Sequence, residues 1–178
     1  MTSIRMRDSM YPYYLSLNGK VSILLWVPTE KGDRFKTLKD GSLFTGQSKQ
    51  EVVRKLRKES KLIKWNESAE IDINALWKKL NSLRVGRTSS EATCRFLLDA
   101  WNFLEDLLKT VALVEILAKS KSAVLKKAYN KIFFGNNLAS VTPAGSLYNP
   151  LWSKDEIVAI KGYLHLAWSA ISERFSEA

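Results

Sequence analysis

Thr88–Lys119, TSSEATCRFLLDAWNFLEDLLKTVALVEILAK, is the longest helical pattern in the chain and the most apolar. Thr88 stands three residues before Glu91, the spacing of a capping box, which satisfies orphan backbone donors at a helix start. Two apolar stripes then run side by side at helical spacing. One is Phe96, Ala100, Phe103, Leu107, Val111, Val114 and Ala118; the other is Leu97, Trp101, Leu104, Leu108 and Ala112. The polar strip between them (Arg95, Asp99, Asn102, Asp106, Lys109) vanishes near Leu113, and VALVEILA is apolar almost all round. Such a helix is normally buried among others. The stretch therefore reads as the central post of the fold, with Trp101 and Leu108 predicted to be buried. Glu115 falls in line with the inward stripe, where a carboxylate needs a partner or a raised pKa; Lys119, one turn on, is positioned to pair with it. Glu105 with Lys109 and Arg95 with Asp99 read as similar surface pairs.

Working outward, the segments on either side supply partners for this post. Residues 75–85 carry Leu76, Trp77, Leu80 and Leu83 on one face, with Asp72 or Asn74 as the cap and Gly86 as the stop. Residues 120–134 carry Val124 or Leu125, then Ala128, Tyr129, Ile132 and Phe133 inward, and Gly135 fits the left-handed position after a helix. Ser153 with Glu156 is a capping box opening a last helix to about Phe175, whose stripe is Ile157, Ile160, Leu164, Trp168, Ile171 and Phe175. Between these two helices, 136–152 has the length of a packed Ω-loop or a recognition loop. Its apolar residues and Pro143 and Pro150 favour a structural strap.

The N-terminal part is of another kind. Residues 11–28, YPYYLSLNGKVSILLWVP, read as a β-hairpin around Asn18-Gly19. A three-residue loop sets Leu15 opposite Val21 and Tyr13 opposite Ile23, and is preferred because a two-residue loop sets Leu15 opposite Ser22. Phe35 and Leu43-Phe44 flank a second, weaker hairpin. Ser48 with Glu51 opens a helix to about Ser60, with Val52, Val53 and Leu56 inward, and 61–65 alternates like a short added strand. Residues 66–74 read as a polar connection. The expected fold is α+β, mainly α: one domain over 1–178, with an N-terminal β-hairpin sheet portion (1–66) packed on a helical bundle portion (67–178). A chain of 178 residues buries roughly two-thirds of its extended surface.

Charge is unevenly spread. The chain carries a net charge of +10, which points to an anionic partner: nucleic acid, an acidic protein or a membrane surface. Residues 31–64 hold 11 Lys and Arg against 4 Asp and Glu, and 121–135 add 4 Lys without an acid. The candidate partner-binding residues are Lys49, Arg54, Lys55, Arg57, Lys58 and Lys61; the alternative is a solvated helix face that keeps the chain soluble. His165 is the single histidine, which excludes a two-histidine nuclease centre within one chain, and it reads as a partly buried structural imidazole. Cys94 is the single cysteine, so no disulfide forms within the chain. No Walker loop, dinucleotide fingerprint, EF-hand loop or nucleophile elbow occurs, and no catalytic residue, metal site or cofactor is assigned. MTSIRMRDSMYPYY lacks the apolar run of a secretory signal, and no stretch reaches the ~18 apolar residues of a membrane span, so a cytoplasmic, membrane-free protein is expected.

Three pieces of the C-terminal half carry a resemblance. Ala100-Trp101-Asn102-Phe103-Leu104-Glu105-Asp106 is the first. The second is Tyr129-Asn130-Lys131-Ile132-Phe133-Phe134-Gly135-Asn136-Asn137-Leu138 with Val141-Thr142-Pro143, and the third is Pro150-Leu151-Trp152. Together they resemble immunity proteins of bacterial contact-dependent growth-inhibition systems. The resemblance implies a cytoplasmic protein that binds and neutralises the toxic C-terminal domain delivered by a sibling cell, without catalysis. An EndoU-type ribonuclease is the toxin activity it suggests. A basic inhibitor of such a toxin needs an acidic toxin surface or a docking position away from the toxin's active site. The alternative function is a nucleic-acid-binding accessory protein using the same basic face, with affinity falling steeply as salt rises.

Overall fold

The computed structural model describes residues 9–30, 32–143 and 145–175. Strand β1 (Tyr11–Leu17) and strand β2 (Lys20–Val27) form the hairpin. Asn18 and Gly19 have φ of 50° and 75°, the two left-handed residues of a two-residue turn. Leu15 therefore faces Ser22 and Leu17 faces Lys20, which corrects the expected three-residue loop. The physical reason lies in β2, which is buried on both faces: Leu24 enters one core, Ile23 and Leu25 the other. Alternation cannot select a register in such a strand, and the turn decides it.

Strand β3 (Arg34–Phe35) continues the sheet on the far side of β2, with Trp26 beside Phe35. The expected second hairpin follows: Phe44 N–H donates to Lys36 O at 2.9 Å and Leu38 N–H to Ser42 O at 2.8 Å around Asp40-Gly41. The fourth strand, β4 (Ala69–Asp72), lies parallel to β1, giving the order β3-β2-β1-β4. It arises within 66–74, the stretch read as a polar connection. Residues 61–65, read as an added strand, make only a single bridge, Ile63 to Met10.

Helix α1 (Lys49–Leu56) starts at Ser48, whose Oγ accepts the Glu51 N–H at 3.2 Å. It stops at Arg57, where φ is 50°, and the chain tightens into a 3₁₀ helix, Arg57–Leu62, instead of running on to Ser60. Val52 is buried, whereas Val53 is exposed, contrary to its expected inward position. Helix α2 (Ile73–Ser82) is capped by Asp72.

The central post is helix α3 (Glu91–Thr110). Its cap is Ser90, accepting from Thr93 N–H, rather than Thr88. Trp101 and Leu108 are buried, as predicted, with Leu97, Leu104 and Leu107 around them. The post is shorter than its sequence pattern. Ala112 takes φ 57°, a left-handed conformation uncommon for a residue with a Cβ, and the chain turns into a separate short helix α4 (Val114–Lys119) that buries no residue fully. Val114 is 65% exposed. Glu115 is exposed too, and no ion pair forms between it and Lys119. The other expected pairs also differ: Lys109 bonds Asp106 rather than Glu105, and Arg95 bonds Glu91 rather than Asp99. Glu105 instead accepts the Trp101 indole N–H at 2.9 Å and the Tyr163 hydroxyl at 3.2 Å.

Helices α5 (Ala123–Gly135) and α6 (Lys154–Ser172) pack on α3. Gly135 ends α5 as a helical residue, not as the left-handed one; Asn137, with φ 49°, takes that role. Glycine is required at 135 for another reason: a Cβ there would stand 2.6 Å from Cys94 Sγ and 2.8 Å from Pro150 Cδ. The architecture is α+β, mainly α, in three layers. The outer face of the sheet is covered by α1 and the 3₁₀ helix over Met10, Ile23, Leu25, Phe44, Val52 and Ile63. The inner face, through Leu15, Leu24, Phe35 and Ile71, joins the main core with α2, α3, α5 and α6.

Candidate functional site

Three groups of charged residues stand out once the layers are in place. The first is the predicted basic face. Lys49, Arg54, Lys55, Arg57, Lys58 and Lys61 all lie on α1 and the 3₁₀ helix that follows it, and all six are exposed. The buried Val52 side chain seats the helix on the sheet; Lys49 and Lys55 flank it, and Arg54 projects from the side away from it. Lys55 pairs with Glu51 at 2.8 Å and donates to Thr45 O at 2.9 Å. Hydrogen bonds from Lys55 and from the Gln47 N–H hold the Glu51 carboxyl below the usual range. Lys49 lies over the Trp65 ring, 4.8 Å from its centroid, and that ring packs on the smaller core. Arg54, Arg57, Lys58 and Lys61 form no salt bridge among the described residues. Exposed Val53 and Leu62 are interspersed with them.

The second group is on α5. Lys131 reaches Glu156 at 2.8 Å, and Lys127 lies 3.5 Å from its other carboxylate oxygen. Glu156 is only 1% exposed and also accepts the Ser153 N–H at 2.9 Å. Burial pushes its pKa upward, but the Lys131 and Ser153 hydrogen bonds outweigh that and hold it below the ordinary value. Lys131 donates as well to Leu151 O at 2.6 Å. Asn137 fixes the same loop: its amide donates to Tyr148 O at 3.1 Å and its Oδ1 accepts Tyr148 N–H at 2.8 Å. Buried Trp152 donates to Ser89 Oγ at 2.7 Å. The two ends of 136–152 are thus tied down, through a buried carboxylate that the sequence showed only as a capping residue, whereas Leu138, Val141 and Leu147, expected to help pin the loop as a strap, are exposed.

The third group was not foreseen. A cleft of about 720 Å³ opens between α3 and the inner face of the sheet. Tyr11, Tyr13, Trp26, Phe35 and Phe103 line it, together with Asp33, Glu67, Glu70, Asp99 and Asp106; no lysine or arginine does. Tyr13 stacks on Phe103 with centroids 4.7 Å apart, and Phe35 meets Phe103 edge-on at 5.4 Å. Tyr11 meets Trp26 edge-on at 5.4 Å. Burial raises the pKa of Asp99 and of Asp106, the latter despite its bond to Lys109. Burial, then the nearby Asp99 and Asp106 charges, raise that of the Tyr13 phenol. Its hydroxyl makes no hydrogen bond among the described residues.

His165 is exposed rather than partly buried, and stacks on Trp77 with centroids 4.1 Å apart and planes 10° from parallel. Among the described residues no cluster of His, Cys, Asp or Glu is placed to hold a metal ion, and no helix is long and apolar enough to cross a membrane. Comparison with protein-family models, with curated proteins and with solved structures finds no match to the chain.

Proposed function

We propose that this chain is a stoichiometric binding protein: an immunity protein that neutralises, in the cytoplasm, the toxic domain of a contact-dependent growth-inhibition system. It engages that domain through Lys49, Arg54, Lys55, Arg57, Lys58 and Lys61. The family rests on the resemblance in the C-terminal half. The binding surface rests on one observation: four exposed cations, Arg54, Arg57, Lys58 and Lys61, form no salt bridge among the described residues. Charges that hold nothing in the fold are available to steer a partner and to set its register.

Neutralisation here requires no bond-making; it requires that the toxin domain be covered. A ribonuclease of the EndoU type is the toxin activity we assign, from the resemblance alone. Its RNA-binding groove has to attract phosphates, so a basic inhibitor docks on an acidic surface beside that groove. Nucleic acid is the alternative occupant of the same face. Modules for single strands stack bases on exposed rings, whereas Trp65, the ring beside this cluster, lies under Lys49 and against the smaller core.

The test replaces Arg54, Lys55 and Lys58 together by Glu. Cells that express the toxin domain this chain neutralises should lose protection. Unchanged protection would remove this face from the account. Filter binding to single-stranded RNA across a salt series separates the alternative: tight, steeply salt-dependent binding would support nucleic acid instead.

A further inference from the structure

The stretch from the last turn of α5 to Trp152 is a surface that the basic-face reading leaves unused. Residues 132–153 hold no Asp, Glu, Lys, Arg or His, the longest uncharged run in a chain of net charge +10. Six of the fourteen exposed large hydrophobic side chains among the described residues stand here: Phe134, Leu138, Val141, Leu147, Tyr148 and Leu151. The loop presents them on a fixed frame. Asn137 closes it by bonding both the N–H and the O of Tyr148. Inside the closure, the Val141 and Thr142 N–H groups donate to Leu138 O at 2.9 Å each, and the Ser146 N–H donates to Pro143 O at 3.0 Å. Phe134, Val141, Thr142, Pro143, Ser146 and Tyr148 line a groove of about 400 Å³. Leu147, between two of those lining residues in sequence, is 71% exposed, more than any other large hydrophobic among the described residues.

We propose that this patch is the contact between two copies of the chain, with Leu147 of each copy entering the groove of the other. A twofold interface uses one surface on both subunits, so that surface has to be complementary to itself. This patch carries a knob and a hole together. The area agrees. The six side chains leave on the order of 500 Å² of apolar surface open, close to the apolar share of a homodimer interface of about 800 Å² per partner. Single leucines on a surface need no explanation, whereas a patch of this size gathered on one closed loop does. Charge selects a second copy as the occupant. Two chains of net charge +10 repel wherever their lysines meet, and the uncharged run is where they approach without opposing like charges. The cations that touch its edge are already held: Lys131, bonded to Leu151 O, pairs with Glu156, and Arg95, bonded to Asn136, pairs with Glu91. Depletion of charge with aromatic residues at the centre is also the composition of interface cores. The inference does not depend on the preceding proposal, because it concerns other elements of the fold and needs no toxin.

The test is sedimentation velocity on the full chain at about 0.15 M salt. A species of twice the 20.3 kDa chain mass is expected, with a dissociation constant of about 10 μM or tighter. Raising the salt should tighten it several-fold, because screening removes the repulsion between two basic chains and leaves the apolar contact. Leu147→Asp puts a carboxylate into the contact at a position open to solvent in the single chain, so the fold should be kept; the dimer should weaken about tenfold or more. Leu38→Asp makes the same change at an exposed leucine outside the patch and should leave the dimer as it is. A chain still monomeric at about 100 μM, or a Leu147→Asp chain as dimeric as the original, would overturn the proposal. So would a dimer that dissociates as salt rises, or one that Leu38→Asp weakens equally, since either places the contact elsewhere. A monomeric chain whose binding of the toxin domain falls on Leu147→Asp would give the patch to that partner instead.

Discussion

Helices α1 and α5 look alike in sequence: each carries lysines along one side and apolar residues along the other. They differ in what those lysines do. On α5, Lys131 and Lys127 converge on Glu156, a buried carboxylate, and Lys131 also anchors the strap at Leu151. On α1 and the 3₁₀ helix, Arg54, Arg57, Lys58 and Lys61 form no salt bridge among the described residues. Counting cations therefore separates nothing. What separates structural from available charge is whether an acid is buried beneath it.

That contrast can be broken at several points. The largest effect belongs to α5. Lys131→Ala leaves Glu156 buried without its nearer cation, and removing one partner of such a pair costs roughly 3 kcal/mol; chemical denaturation should show the loss. A smaller loss, about 1–3 kcal/mol, is expected for Gly135→Ala, because the new Cβ meets Cys94 Sγ and Pro150 under the same strap. The pH dependence has a definite sign. Glu156 has its pKa lowered by folding from an ordinary 4.5, so its contribution is fully present above that value and is lost as pH falls through the lower, folded one. Glu156→Gln should flatten this part of an acid-denaturation curve. The smallest effect on stability belongs to α1: Arg54→Glu/Lys58→Glu, at two cations that form no salt bridge among the described residues, should change it by no more than about 0.5 kcal/mol per site, the usual range for surface substitutions. A large loss of stability there would show that these charges hold the fold after all.

Much of this was legible in the sequence, and the reasons for the rest are specific. Short-range signals succeeded: Ser48, Asp72 and Ser153 cap the helices as their spacing implies, and the apolar stripes locate Trp101 and Leu108 in the core. Two kinds of feature were invisible. One is a backbone conformation that no residue type announces, as at Ala112 and Arg57, whose left-handed φ values end helices that composition would extend. The other is pairing between distant segments. Strand β4 reads as polar because Ile71 is its only buried residue. The six cations are all exposed, and they are found together because they lie close in sequence. The acidic cleft was missed because its acids come from the segment before β3, from β4 and its approach, and from α3; only Asp99 and Asp106 share an element that periodicity could have shown.

The central claim is that the cations on α1 are available to a partner and that basic charge elsewhere is not equivalent. Calorimetric titration of the toxin domain into two variants tests this directly. One reverses Arg54, Lys55 and Lys58 to Glu; the other reverses Lys121 and Lys126, exposed lysines at and before the start of α5 that form no salt bridge among the described residues. The account predicts at least a tenfold loss of affinity for the first, about 1.4 kcal/mol, and little change for the second. Equal losses in both, or none in either, would contradict it.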